Sequence, residues 1–167
     1  MTHPLVVQLR FARYELARGL EGVSPEDALK RLGPMNSISW ILGHLANHED
    51  HYWNVVARGF SAVPGLNERV GYRQPASTPA LDEMWGAWRK ATAESDPYLD
   101  TLTPELLQTF LQFRGKPRPE SIGTMLYRTI YHYWFHLGEA LAIRQMLGHT
   151  HLPEFVGEMS TAVYTPE

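Results

Sequence analysis

The chain has 167 residues, 44% of them hydrophobic, and its formal charges nearly cancel at −3. That size suits one domain over 1–167 with a core of its own, and the scattered Lys and Arg argue against the phosphate-tracking surface of a nucleic-acid binder. The absence of cysteine removes disulfides, thiolate ligands and a protein thiol nucleophile, so any metal must sit on nitrogen and oxygen. No apolar run reaches membrane-spanning length, and "MTHPLVVQLRFARYELARGL" takes a charge every few residues, so a cytoplasmic protein without membrane contact is expected.

In chain order, Leu5, Leu9, Leu16 and Leu20 recur at helical intervals and predict a first helix from Pro4 to about Leu20. "SPED" from Ser24 supplies a cap, a Pro at the first helical position and an acid, predicting a short helix to about Leu32 before Gly33 and Pro34. Ser37 caps a long helix that runs to about Arg58 and stops at Gly59. The stretch from Gly59 to Thr78 lacks a sustained period and reads as a long crossover connection, of a length usually tied to function or mobility. Thr78 and Pro79 then open a helix to about Leu102, with Leu81, Met84, Trp85 and Trp88 on one side. Thr103 opens one further turn, residues 109–114 form a short extended piece, and Ser121 caps a last long helix to about Leu147. A turn of helix is expected around Phe155 to Met159. Four main helices and few strand signals predict an all-α chain, a four-helix bundle.

Five of the eight histidines lie in two of these helices. With roughly 100° per residue, His132 and His136 of "YHYWFHLGE" project one turn apart from the face that carries Ile122, Met125, Leu126, Tyr133, Ala140 and Ile143. Two imidazoles at that spacing can grip one metal ion, although a lone pair of this kind also fits hydrogen-bonded core histidines. On the Ser37 to Arg58 helix the buried stripe includes His48, with His44 on its edge beside His51. Glu49 lies near the centre of that stripe, and a buried carboxylate needs a cation or strong donors nearby. Periodicity leaves open whether His44 or His48 joins the other pair.

"NSISWILGHLANHE" from Asn36, followed about ninety residues later by "HYWFHLGE", resembles the DinB/YfiT-like superfamily in helix order over nearly the whole chain. Its Trp-x-x-x-His-x-x-x-x-Glu pattern is met by Trp40, His44 and Glu49. The resemblance implies a four-helix bundle in which His44 joins His132 and His136 around a divalent metal, zinc or nickel first, manganese or iron as alternatives. It also implies that Glu49 supports a ligand from behind or joins the metal as an extra one, and relatives that include transferases and isomerases using low-molecular-weight thiols such as bacillithiol or mycothiol. Leu137 and Glu139 stand where many relatives have Arg and Gln. Glu139, one turn past His136, is placed either on the metal's outer shell or in solvent.

Three neutral imidazoles leave coordination positions open, so the expected function is a thiol-dependent S-transferase or a metal-dependent hydrolase acting on a small molecule. The alternative is a non-catalytic, stress-related metal-binding or interaction bundle. Candidate pocket groups are His48, His51, Tyr52, Tyr133 and Arg144, with Arg69, Tyr72 and Arg73 from the connection; each also fits plain packing or a solvated charge. Trp85, Trp88 and Trp134 are read as bundle or dimer packing, and a homodimer is implied by the resemblance.

Overall fold

A hydroxyl or imidazole stands before most of the helices. His3 accepts from the Leu5 amide ahead of α1 (Pro4–Gly19), Ser24 from the Asp27 amide ahead of α2 (Pro25–Leu29), Ser37 from Trp40 ahead of α3 (Ile38–Glu49), and Ser121 from Thr124 ahead of α7 (Ile122–Met146). In the computed structural model, which describes residues 2–154 and 156–164, these are joined by α4 (Leu66–Val70), α5 (Leu81–Leu99) and α6 (Pro104–Leu107). Among the described residues the chain is all-α apart from one two-stranded hairpin, and α1, α3, α5 and α7 are the four long elements.

Most boundaries agree with the sequence reading, and the differences have local causes. Helix α5 begins at Leu81 behind an extended Ala80, not at Pro79, and no side chain caps it; Asp82 and Glu83 in its first turn complement the helix dipole instead. It ends at Leu99, after Pro97 has removed one backbone donor from its last turn. Helix α2 stops at Leu29 because Lys30 is already extended. Within the long connection, Leu66–Val70 forms the short helix α4, anchored by the buried Leu66 and Val70. The expected extended piece is β1 (Gln112–Phe113), which pairs antiparallel with β2 (Lys116–Pro117). Residues 156–159 carry no helix, and Phe155 lies outside the described residues.

Beyond Glu49 the backbone of α3 widens into a π-helical segment, Asp50–Val56, before Ala57 and Arg58 resume α geometry and Gly59 turns with φ 85°. Here burial is broader than a 3.6-residue stripe allows: Asp50, Tyr52, Trp53, Asn54 and Val56 are all buried. Asp50 and Asn54 find partners, whereas the Trp53 indole N–H is buried without one. Asp50 accepts from the Ser61 hydroxyl and the Ala62 amide, and Asn54 donates to the Ala91 carbonyl.

The core sits between α3 and its three neighbours, with Leu9 and Leu16 from α1, Ile41, Leu42 and Leu45 from α3, Met84 and Leu99 from α5, and Met125 and Leu126 from α7. Helix α3 packs on α5 and α7, and α1 packs on α7. The α3–α5 approach is close at Gly43, where a Cβ would stand 2.3 Å from the Met84 sulfur and displace that side chain. The tail lies back along α1, where Gln8 donates to the Ala162 carbonyl and the Gly157 amide donates to Glu15. Among the described residues no helix is long and apolar enough to cross a membrane.

Candidate metal centre

Helices α3 and α7 bring His44, His132 and His136 together. Each can offer one nitrogen such that the three atoms lie within 4.8 Å of one another. The ring centroids are 5.0 Å apart for His44 and His132, 5.2 Å for His44 and His136, and 4.6 Å for His132 and His136. His132 and His136 share a face because they are one turn apart on α7. His44 meets them from α3, with its ring stacked on Trp40 at 4.5 Å.

Two of the rings are oriented by partners on their far nitrogen. His44 Nδ1 donates to the Val70 carbonyl at 2.8 Å, so the last residue of α4 sets its tautomer and leaves Nε2 as a lone pair. His136 Nδ1 donates to Glu139 at 2.8 Å, which does the same. His132 Nδ1 is buried without a hydrogen-bond partner. Burial lowers the pKa of His44, and lowers that of His132 to about 3 with the help of His136, His44 and Arg128. These two imidazoles are therefore neutral at physiological pH, the form that ligates a metal. Nitrogen-only donors, fixed tautomers and an orphaned buried nitrogen fit a divalent first-row metal.

The other expected residues divide. Glu139 reaches the cluster through His136. His48 adjoins it, with 4.5 Å between its ring and that of His132; its Nδ1 is buried without a partner, and burial holds its pKa well below the usual value. Tyr52 packs on His48 at 4.2 Å, and His51 turns toward Phe113 of the hairpin at 5.6 Å.

Glu49 does not reach the histidines by any hydrogen bond: Arg13 donates to both its oxygens and the Tyr133 hydroxyl donates to Oε1. That contact also removes Tyr133 from the candidate pocket, since its hydroxyl accepts from Trp88 Nε1 and its ring is buried. Arg144 is likewise occupied elsewhere, donating to the Gly19 carbonyl and to His149 Nδ1. On the connection, Arg69 pairs with Glu83 and Arg73 lies over the exposed ring of Tyr72. Trp85 and Trp88 pack edge to face, and Trp134 packs on Phe11.

Sequence reasoning missed Arg13 and the Val70 carbonyl. Arg13 was discoverable, because it falls on the same stripe of α1 as Leu9 and Leu16 and a charge there needs a buried counter-charge. A backbone carbonyl leaves no signal in a sequence. Two surface cavities, of 210 and 490 Å³, border the connection and are lined by such residues as Asp50, Ser61, Asn67, Arg69, Glu83 and Lys90; none of the three clustered histidines lines either.

The helix order, the three-histidine cluster and its supports converge with what the sequence as a whole is similar to. No curated protein matches the chain. The sequence pattern of the DinB superfamily matches residues 8–140, a span that runs from α1 through the last of the three histidines, and the chain belongs to that superfamily.

Proposed function

We propose that His44, His132 and His136 hold one divalent metal ion, zinc or nickel before manganese or iron, in a site with coordination positions left for a small molecule. The observation that carries this reading is the convergence of three imidazole nitrogens, two with their tautomers set from behind. Such an ion supplies Lewis acidity, which polarises a carbonyl or makes a water or an external thiol a competent nucleophile near neutral pH. The function proposed is a small-molecule enzyme of that kind, a thiol-dependent S-transferase or a metal-dependent hydrolase. A low-molecular-weight thiol suits the first because the chain has no cysteine of its own.

The protein's part is orientation. The Val70 carbonyl and Glu139 fix two rings, Trp40 covers the face of His44, and the Arg13–Glu49–Tyr133 network ties α1, α3 and α7 together next to the histidines. A cytoplasmic homodimer belongs to the same proposal, with exposed Tyr127, Tyr131 and Phe135 on α7 as a face for a second copy, and sedimentation checks it.

The test is metal content and consequence. Protein purified without chelators should carry close to one divalent ion per chain, and His132→Ala or His136→Ala should abolish that binding while circular dichroism stays helical. If no ion is found and added zinc or nickel leaves the melting temperature unmoved, the reading fails. Metal bound without thiol transfer or hydrolysis above background across electrophile and ester panels would leave a non-catalytic metal-binding bundle.

A further inference from the structure

A line of ring contacts between α3 and α7 continues past the three histidines. From His132 the rings run to His48 and from His48 to Tyr52, and over the Tyr52 ring lies the guanidinium carbon of Arg118, 5.7 Å from the centroid. Phe113 of β1 holds the hairpin against His51. The hairpin turns through Arg114 and Gly115, both with positive φ (53° and 74°), which is the two-residue geometry that keeps such strands tightly paired. It stands at one end of this line of rings.

What it brings there is positive charge. Arg114, Lys116 and Arg118 fall within five residues, and among the described residues none of them has a carboxylate at ion-pair distance. Glu120, the acid nearest in sequence, is engaged by Arg128, and Arg118 acts on it only at longer range. The Nε–H of Arg118 is buried without an acceptor. Buried donors in folded proteins nearly always find one in protein, water or ligand. After burial, Arg118 is the largest influence that lowers the pKa of His51, opposed by Asp50 and joined by Arg114. Cations without a paired carboxylate favour an anionic ligand.

The geometry points to a carboxylate subsite at Arg118: the small molecule reaching the three histidines is an anion whose carboxylate lies on that guanidinium and whose chain runs along His48 and Tyr52. The planar fork of an arginine matches a carboxylate edge to edge. This deepens the metal-site reading and rests on it for one of two anchors; the Arg118 anchor stands on the hairpin alone.

Two measurements separate the anchors. In the first, cobalt-loaded protein is titrated with ω-mercaptoalkanoates of increasing chain length and with their neutral amides, and thiolate-to-cobalt charge transfer reads binding. At the length that spans from the histidines to Arg118, the acid should bind about tenfold more tightly than the amide, ~1.4 kcal/mol. Arg118→Gln should erase that preference and Arg118→Lys should keep part of it. In the second, the Arg118 Nε–H resonance of isotope-labelled, metal-free protein is followed as propionate or propionamide is added, with a saturable shift expected for propionate alone. An absent shift, or an acid-to-amide ratio that Arg118→Gln leaves unchanged, overturns the subsite. Failure of cobalt to bind while the propionate shift persists removes the metal reading and supports the subsite.

Discussion

Arg13 grips Glu49 with two nitrogens, Nε on one oxygen and Nη2 on the other, each at 2.6 Å, and neither side chain is open to water. Burial alone would lower the pKa of Arg13, but the facing Glu49 charge more than reverses this and raises it. Burial, then Glu49, lifts Tyr133 well above the usual tyrosine value, so its hydroxyl keeps the proton it donates. The pair joins α1 to α3 at the depth of the histidines.

Removing one member of such a pair leaves the other buried and charged. Glu49→Gln should lose about 3 kcal/mol in chemical denaturation. A loss no larger than that of an exposed pair, below about 1 kcal/mol, would show that Arg13 reaches water by another route.

Glu139 fixes the His136 ring through Nδ1 and is itself mostly covered. Glu139→Gln keeps the shape and replaces the carboxylate that accepts from Nδ1 with a neutral amide. Competition against a chelator should show zinc affinity falling about tenfold or more, and an unchanged affinity would detach Glu139 from the site.

The Val70 carbonyl that orients His44 is held by the close end of α4. A Cβ on Gly71 would stand 2.3 Å from the Asn67 backbone oxygen, so Gly71→Ala must displace that end. Weaker metal binding with an intact helical spectrum is expected. Gly86→Ala is the control, since a Cβ at that exposed position of α5 meets nothing within 4 Å; it should raise stability by up to about 1 kcal/mol. Equal effects of the two on zinc affinity would refute the role given to Val70.

Asp27 accepts from Lys30, Ser24 and His149, and these donors hold its pKa at about 2, below the ordinary 3.8. A carboxyl whose folded pKa is depressed stabilises fully above its unfolded value and loses that contribution as pH falls toward its folded one. The stability difference between the protein and Asp27→Asn should therefore be constant above about pH 4 and shrink toward pH 2. A difference that stays constant down to pH 2 would show that these donors do not depress the Asp27 pKa.

The long helices were legible because their caps and stripes are local: Ser37 and Ser121 start helices where their hydroxyls meet the third amide onward. His132 and His136 share a face by spacing alone. What joins them to His44 is distant in the chain, and the family resemblance, not periodicity, singled His44 out over His48. Glu49 announced that it needed a partner without announcing Arg13. Tyr133 and Arg144 misled because a polar group on a buried stripe satisfies a neighbour as readily as it lines a pocket; Tyr133 turned to Glu49, and Arg144 to Gly19. The π-helical stretch escaped because an apolar stripe continues through Tyr52 and Val56 in either geometry.

That stretch divides α3 mechanically. Up to Glu49 the helix is regular, so losing one residue there would swing His44 by roughly 100° and out of register with α7. From Asp50 to Val56 the coil already holds a surplus residue. A single deletion within it would let the helix relax toward ordinary winding and re-aim the buried side chains after it and the turn at Gly59, while His44 keeps its register with α7. The cost of a change of length thus falls on packing on one side of Glu49 and on the histidine cluster on the other.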